Sequence, residues 1–147
     1  KIFAILSALL ILANFHLTYD KVILSNPQAL CLDGSRGAFY LSRGDPAKVL
    51  MFFEAEVGAE TTISPPPYEL LWQKQADLGS STGYKPTQTF TEGILSDDEQ
   101  NYFRTWTKVF LKYCDGSGHQ GTRSQPILYK GADLYFRGQD VTLAQFA

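Results

Sequence analysis

Apolar residues gather into a few short runs, separated by long polar or Gly- and Pro-rich stretches. Ala38-Phe39-Tyr40-Leu41 reads as a short strand. Arg43-Gly44-Asp45-Pro46 reads as a turn, from its Gly and Asp-Pro. Val49-Leu50-Met51-Phe52-Phe53 is a continuous apolar run of strand length. It suits a strand buried on both faces, as in a parallel sheet. Residues 54–92 read as irregular. Within them only the stretch 68–76, from Tyr68 to Ala76, has helical potential.

Ser96-Asp97-Asp98-Glu99 has the form of a capping box, with an acidic first turn that suits the helix dipole. Tyr102, Phe103 and Trp106 follow at helical spacing. The pattern predicts a short helix from Asp97 to about Trp106 that packs its aromatics inward. That core role outweighs a ligand platform. Residues 108–113, Lys108 to Tyr113, read as the next strand, and Leu134-Tyr135-Phe136 as another. An amphipathic helix begins near Asp140 and breaks off in its second turn at Ala147. Strands alternating with helices predict an α/β domain with a parallel sheet.

The start of the chain has a different pattern. Lys1 precedes an almost unbroken apolar run from Ile2 to Leu12. A cation followed by such a run reads as the n-region and h-region of a secretory signal peptide. A membrane-spanning helix needs about 20 apolar residues, and Asn14, His16, Thr18 and Asp20 interrupt too soon. Residues 1–17 are therefore expected to be a signal peptide, with its cleavage site open. Residues 18–147 are expected to be the N-terminal portion of one domain, truncated at its C-terminus. A buried helix of the fold is the alternative for the apolar run.

Composition narrows the function classes. The chain has 147 residues, 44% hydrophobic and 19% charged, which fits one globular domain. Its net charge of -2 carries no clustered cations, so nucleic acid is not an expected partner. Two Cys and two well-separated His offer no zinc-finger spacing, and no metal or cofactor is expected.

Catalytic motifs are sparse. There is no Gly-x-Ser-x-Gly, no phosphate-binding loop and no His-Glu-x-x-His. Asp115-Gly116-Ser117-Gly118-His119 forms a glycine-rich loop after a strand. Loops beyond the carboxyl ends of parallel strands form ligand crevices, which gives Asp115, Gly116, Ser117 and His119 a claim on a site. Against it stands the simpler reading of a solvated loop, because a lone His without a positioned partner is no general base. Glu54 and Glu56 also follow a strand, but residues two apart in a loop need not converge.

Cys31-Leu32-Asp33-Gly34-Ser35 leads into the Phe39-Tyr40 strand, and Phe53-Glu54 closes a buried strand. Gly93-Ile94-Leu95-Ser96 and the segment from Asn101 to Val109 follow. Tyr113-Cys114-Asp115-Gly116 is the most specific motif, and Leu134-Tyr135-Phe136-Arg137-Gly138 ends the series. Together these blocks resemble the pectin acetylesterase family, which includes the Notum carboxylesterases; they stand in the family's order and span Cys31 to Gly138.

The resemblance implies an α/β-hydrolase-like fold, of which this chain holds only the N-terminal part of a mostly parallel sheet with flanking helices. It implies a secreted, extracellular esterase that removes acyl groups from a glycan or other acyl ester. The Ser-His-Asp triad would lie beyond Ala147, leaving no triad residue in this chain. One catalytic element falls inside: the oxyanion loop, which follows the buried strand and is glycine-rich in the family. The matching place here holds Glu54, Ala55, Glu56, Val57 and Gly58. Ala55 retains a backbone N–H, but Glu56 sets a carboxylate near developing negative charge and β-branched Val57 disfavours positive φ. A catalytically inactive secreted homologue that binds a glycan or lipid is therefore the alternative, as is an error in the sequence at this place. The resemblance also implies a disulfide between Cys31 and Cys114, in keeping with an oxidising compartment. Oligomeric state is left open.

Overall fold

Two buried tyrosines, Tyr19 and Tyr40, mark the inner face of a five-stranded sheet. A computed structural model describes residues 17–55 and 78–146. The strands are β1 (Thr18–Ile23), β2 (Ala38–Ser42), β3 (Asp45–Phe53), β4 (Thr87–Thr89) and β5 (Trp106–Leu111). Their order in the sheet is β3-β5-β2-β1-β4. β1 pairs antiparallel with both β2 and β4, and β2 pairs antiparallel with β5. Among the described residues only β3 and β5 run parallel, with Phe53 in register with Leu111. The sheet is thus mixed in this N-terminal portion of the fold.

A separate hairpin joins β6 (Ile127–Tyr129) to β7 (Ala132–Leu134). Its turn residues Lys130 and Gly131 both have positive φ, 48° and 86°. A two-residue turn with both φ positive matches the right-handed twist of the strands, and glycine favours it. The chain then enters α1 (Gly138–Leu143). Val141 of α1 packs with Leu24 and Ala29 in a small second core.

The main core is aromatic. Tyr19, Tyr40, Leu95 and Phe110 are buried together, with Phe90, Tyr84, Leu50 and Leu17 packed around them. Phe90 meets Tyr19 and Phe110 edge-on, at centroid distances of 5.0 and 5.2 Å. Such edge-to-face pairs add about 0.5–1.5 kcal/mol each beyond burial. In β2 residues alternate: Ala38, Tyr40 and Ser42 are buried, whereas Phe39 and Leu41 are half-buried.

Cys31 and Cys114 form a disulfide, with Cα atoms 4.8 Å apart across a sequence separation of 83. The Cys31 backbone neighbours the same junction, since Leu32 N–H donates to the Cys114 carbonyl at 2.7 Å.

Five expectations need correction. Residues 97–106 form successive turns, not a helix. Their backbone bonds span three residues: Asn101 to Asp98, Arg104 to Asn101, and Trp106 to Phe103. The capping box does not form either. Ser96 Oγ donates to the Gly93 carbonyl at 2.7 Å and accepts from the Asp98 N–H. The cause is competition from side chains for the backbone. Asn101 Nδ2 donates to the carbonyls of Gly93, Ile94 and Ser96, while its Oδ1 accepts from the Phe103 N–H. As a result Tyr102 is 79% exposed, and the aromatics pack on one another instead of into the core.

The strand expected over 108–113 starts earlier, at Trp106, and ends at Leu111. The run 134–136 contributes only Leu134 to a strand, because the hairpin turn ends pairing there. Finally, the run 49–53 is not buried on both faces. β3 has only β5 as a neighbour among the described residues, and Val49, Phe52 and Phe53 are exposed. β1 and β4 were not anticipated by the hydrophobic pattern. The expected signal peptide lies almost wholly outside the described residues, as do the helical stretch 68–76, Glu56 and Gly58.

The loop over 93–101 is anchored by an unusual group, the buried amine of Lys108 on β5. Its Nζ donates to the Ser96 carbonyl at 2.6 Å and to the Leu95 carbonyl at 3.3 Å. The Tyr19 hydroxyl donates to the same Leu95 carbonyl at 2.5 Å. Burial pushes the Lys108 ammonium below its ordinary pKa of 10.5, opposed by the Asp97 carboxylate. Burial also raises the Tyr19 hydroxyl far above the usual tyrosine range, with the Asp97 charge acting in the same direction.

Two predictions follow from these bonds. Replacing Cys31 and Cys114 together by Ser is expected to lower stability by about 3 kcal/mol, within the usual range for a bond that closes a long loop. Urea unfolding with and without reductant measures it, and coincident curves would contradict the disulfide. For Lys108, the folded pKa lies below the unfolded one. Between the two values the unfolded chain binds more protons, so stability rises with pH in that window. Below the folded pKa the full desolvation penalty is present. Lys108→Met should abolish the alkaline rise. It should cost only about 1 kcal/mol at neutral pH, because Tyr19 and Asn101 still donate to the two carbonyls. Urea midpoints between pH 7 and the lysine range read both effects.

Candidate functional site

The parallel pair β3 and β5 brings two loops to the same end of the sheet. Past Phe53 the Glu54 N–H still pairs with the Leu111 carbonyl, at 2.9 Å. The chain then leaves the ladder, and the Glu54 carboxylate crosses to the other loop. It accepts from the Tyr113 N–H at 2.9 Å and forms an ion pair with Lys112 Nζ. Glu54 is therefore a clamp between the two strand ends, and its carboxylate is already occupied. Tyr40, on the adjacent strand β2, has its hydroxyl pKa raised by burial and by the Glu54 charge.

The loop after β5 contains the sequence-predicted residues. Asp115 is buried. Its carboxylate accepts from the Ser117 hydroxyl and, at 3.2 Å, from the Ser117 N–H. Ser117 Oγ in turn accepts from the Gly121 N–H at 2.8 Å. The Ser117 hydroxyl is thus committed to closing its own loop, a structural task. Gly116, Gly118 and His119 all have positive φ, 72°, 62° and 63°. For His119 that conformation is uncommon, though His is among the residues that tolerate it.

This backbone turn lays the imidazole against Phe53 and Tyr113, with ring centroids 5.3 and 5.1 Å away. His119 Nε2 lies 2.9 Å from the Glu54 carbonyl oxygen. The Tyr113 hydroxyl accepts from the Gly118 N–H at 3.1 Å. Phe53, Glu54, Ala55, Tyr113, Gly118 and His119 together line a cavity of about 240 Å³. Its walls are the two loops beyond the carboxyl ends of the parallel strands, where ligand crevices form in such sheets. Glu54, Ala55 and His119 are brought together here. Asp115, Gly116 and Ser117 buttress the loop from behind. Sequence reasoning missed Phe53, Lys112 and Tyr113 as parts of this site. The signal was available in Tyr113 and Phe53, each the last apolar residue of its run.

A larger cavity of about 510 Å³ is lined by Tyr40, Lys85, Gln88 and Lys112 among others. Another of about 430 Å³ lies along the 92–103 loop, around Asp98 and Tyr102. The smaller cavity is the better candidate, because it contains the residues directly after β3. Among the described residues no group of three His, Cys, Asp or Glu side chains is placed to hold a metal ion. None of the described helices is long and apolar enough to cross a membrane.

The start of α1 seals the loop from outside. A Cβ on Gly138 would stand 2.6 Å from Ser117 Oγ, 2.8 Å from Asp115 Oδ2 and 2.8 Å from the His119 carbonyl carbon. Only glycine permits this approach.

The family model for Pectinacetylesterase matches residues 13–146. The chain belongs to the pectin acetylesterase family. It is similar to Pectin acetylesterase 5 of Arabidopsis thaliana, 32% identical over 115 residues, which is 76% of this chain and 26% of that protein. Pectin acetylesterase 4 of the same plant is 30% identical over 115 residues, 76% of this chain and 27% of that protein. Among solved structures, the Wnt deacylase Notum from Drosophila matches with a TM-score of 0.73 at 24% identity, over 86% of this chain and 36% of Notum. A second crystal form of Notum matches with a TM-score of 0.66 at 21% identity. The fold is therefore α/β-hydrolase-like. This family member spans about a quarter of the curated relatives named and about a third of the solved Notum chain.

Gly138→Ala tests the packing that forms the site. Overpacking a tight contact costs about 1–3 kcal/mol. We expect a loss of that size in urea unfolding, together with disturbed amide signals over residues 115–121. An undisturbed loop would contradict the close approach.

Proposed function

We propose that this chain is the N-terminal portion of a secreted carboxylic-ester hydrolase. The apolar run within residues 1–17 acts as its signal peptide, with the cleavage site open, and the chain that follows it, through Ala147, is the first part of one esterase domain. The substrate class is an acyl ester, with an acylated glycan as the leading candidate. The Ser-His-Asp triad is supplied by sequence beyond Ala147, and no cofactor is needed for that chemistry.

One observation carries this reading: the cavity between the loops after β3 and β5, with Ala55 on its wall. In an α/β hydrolase the loop after the corresponding strand supplies a backbone N–H to the oxyanion hole. Ala55 is the residue of this chain that fits the role. Preorganised donors of this kind stabilise the developing oxyanion in acyl transfer. The chain's own part is to hold the Glu54–Ala55 segment through Lys112, Tyr113 and His119.

The run Glu54-Ala55-Glu56-Val57, in place of a glycine-rich loop, favours a second reading. In it the protein keeps the fold and binds a glycan or lipid without turnover.

Expression of the whole reading frame decides between them. Under the first reading, acetate is released from an acetylated glycan and from p-nitrophenyl acetate well above a buffer blank. Residues 18–147 alone are expected to match the blank. Turnover by that segment after repurification would overturn the placement of the triad. A folded, secreted, full-length protein that releases no acetate from either ester would overturn the hydrolase reading.

A further inference from the structure

We propose that His119 is the positioning residue of the Glu54–Ala55 peptide, setting the direction of the Ala55 N–H at the cavity wall. The functional value of that direction rests on the ester-hydrolase reading above; the geometry does not.

The argument begins with the hydrogen bond between His119 and Glu54. A carbonyl oxygen only accepts, so the 2.9 Å contact to the Glu54 carbonyl requires His119 Nε2 to carry the proton. That fixes the neutral tautomer as Nε2–H. The rest of Glu54 is held independently. Its N–H donates to Leu111, and its carboxylate engages Lys112 and Tyr113. The carbonyl is the one remaining polar group of the residue, and His119 fixes it. A trans peptide is planar, with C=O and N–H pointing in opposite directions. Orienting the Glu54 carbonyl therefore orients the Ala55 N–H. In a glycine-rich loop, backbone freedom lets amides turn toward an oxyanion. Ala55-Glu56-Val57 lacks that freedom, so the orientation has to come from a partner.

The imidazole is itself held rigidly. It lies between Phe53 and Tyr113. Its backbone is kept at φ 63°, and Thr142 of α1 donates from Oγ1 to the His119 carbonyl at 3.4 Å. A non-glycine residue kept at positive φ is strained and persists only where its surroundings enforce it. A phenylalanine would fill the same space against Phe53 and Tyr113, but it has no donor for Glu54.

The test uses the protein from its whole reading frame, labelled with ¹⁵N at alanine and histidine. The residual dipolar coupling of Ala55 reports the direction of its N–H. His119→Phe keeps the ring packing and removes the donor, whereas His119→Gln keeps a donor. We expect the Ala55 coupling to shift in His119→Phe beyond the spread seen for β2 and β5 amides. His119→Gln should return it toward the native value. A folded His119→Phe protein with an unchanged Ala55 coupling overturns the proposal. If His119→Phe does not fold, the imidazole ¹⁵N spectrum of the native protein at neutral pH decides. Nε2 protonated supports the bond, and Nε2 unprotonated overturns it. Acetate release from the same preparations separates the two readings. A responsive Ala55 coupling without native turnover overturns the hydrolase alone. In an active protein, His119→Phe should lower kcat about tenfold with KM little changed.

Discussion

Three stretches far apart in sequence meet at Leu32, and the rest of this structure depends on that junction. Its N–H donates to the Cys114 carbonyl and its own carbonyl accepts from the Tyr135 N–H, at 2.7 and 2.9 Å. Leu32 is fully buried beside the Cys31–Cys114 disulfide. Remove the junction and the end of β5, the entry into β2 and the exit of the β6–β7 hairpin lose their common anchor. The covalent bond and the two backbone bonds act on the same few residues. The disulfide limits how far the ends can separate when unfolded, and the backbone bonds select one arrangement among those that remain. The loop 115–121 follows directly from Cys114, and α1 follows shortly after Tyr135. Hence the site residues inherit their placement from this junction.

The opposite end of β5 is organised by polar groups. Lys108, Tyr19 and Asn101 send donors into the carbonyls of residues 93–96. A buried ammonium requires acceptors, and backbone carbonyls are the acceptors at hand. This explains why the helical pattern over 97–106 failed. Its spacing of aromatics is real, yet a few tenths of a kcal/mol per residue in propensity cannot compete with several buried hydrogen bonds. The signal lay in Lys108 itself. A lysine at an inward position of a strand needs a partner, and the nearest unpaired backbone is the loop just before it.

What the sequence made legible was therefore uneven. The strands centred on Tyr40, Phe52 and Phe110 could be read from apolar runs, and the helix after Gly138 from its amphipathic pattern. β1 was hidden, because the consecutive polar residues Asp20 and Lys21 break up Tyr19 and Val22 directly after a stronger apolar segment. The exposure of Val49, Phe52 and Phe53 was also hidden. A continuous apolar run states that two faces tolerate burial, but it carries no information on which neighbours are present to bury them. At the site, the glycine-rich loop was legible as a loop. The partnership of His119 with Glu54 was not, since it joins residues 65 apart through a backbone carbonyl that no side-chain pattern encodes.

That partnership also bears on the sequence after β3, where Ala55, Glu56 and Val57 follow Glu54. A flexible segment can present its amides only if something else selects their orientation, and glycine leaves that selection to the ligand. A sequence of Ala, Glu and Val has fewer accessible backbone conformations than a run of glycines. What it gains is a smaller entropic cost of order, provided that fixed partners hold the right geometry. Glu54 is held by its amide, its carboxylate and its carbonyl, each from a different residue. The cavity wall in this chain is thus set before any ligand arrives. Whatever chemistry the whole protein performs at that wall, a rigid Glu54–Ala55 segment makes it depend on the β5 loop as much as on the β3 loop. The two loops form a single unit, because the clamp that joins them is built from side chains of both.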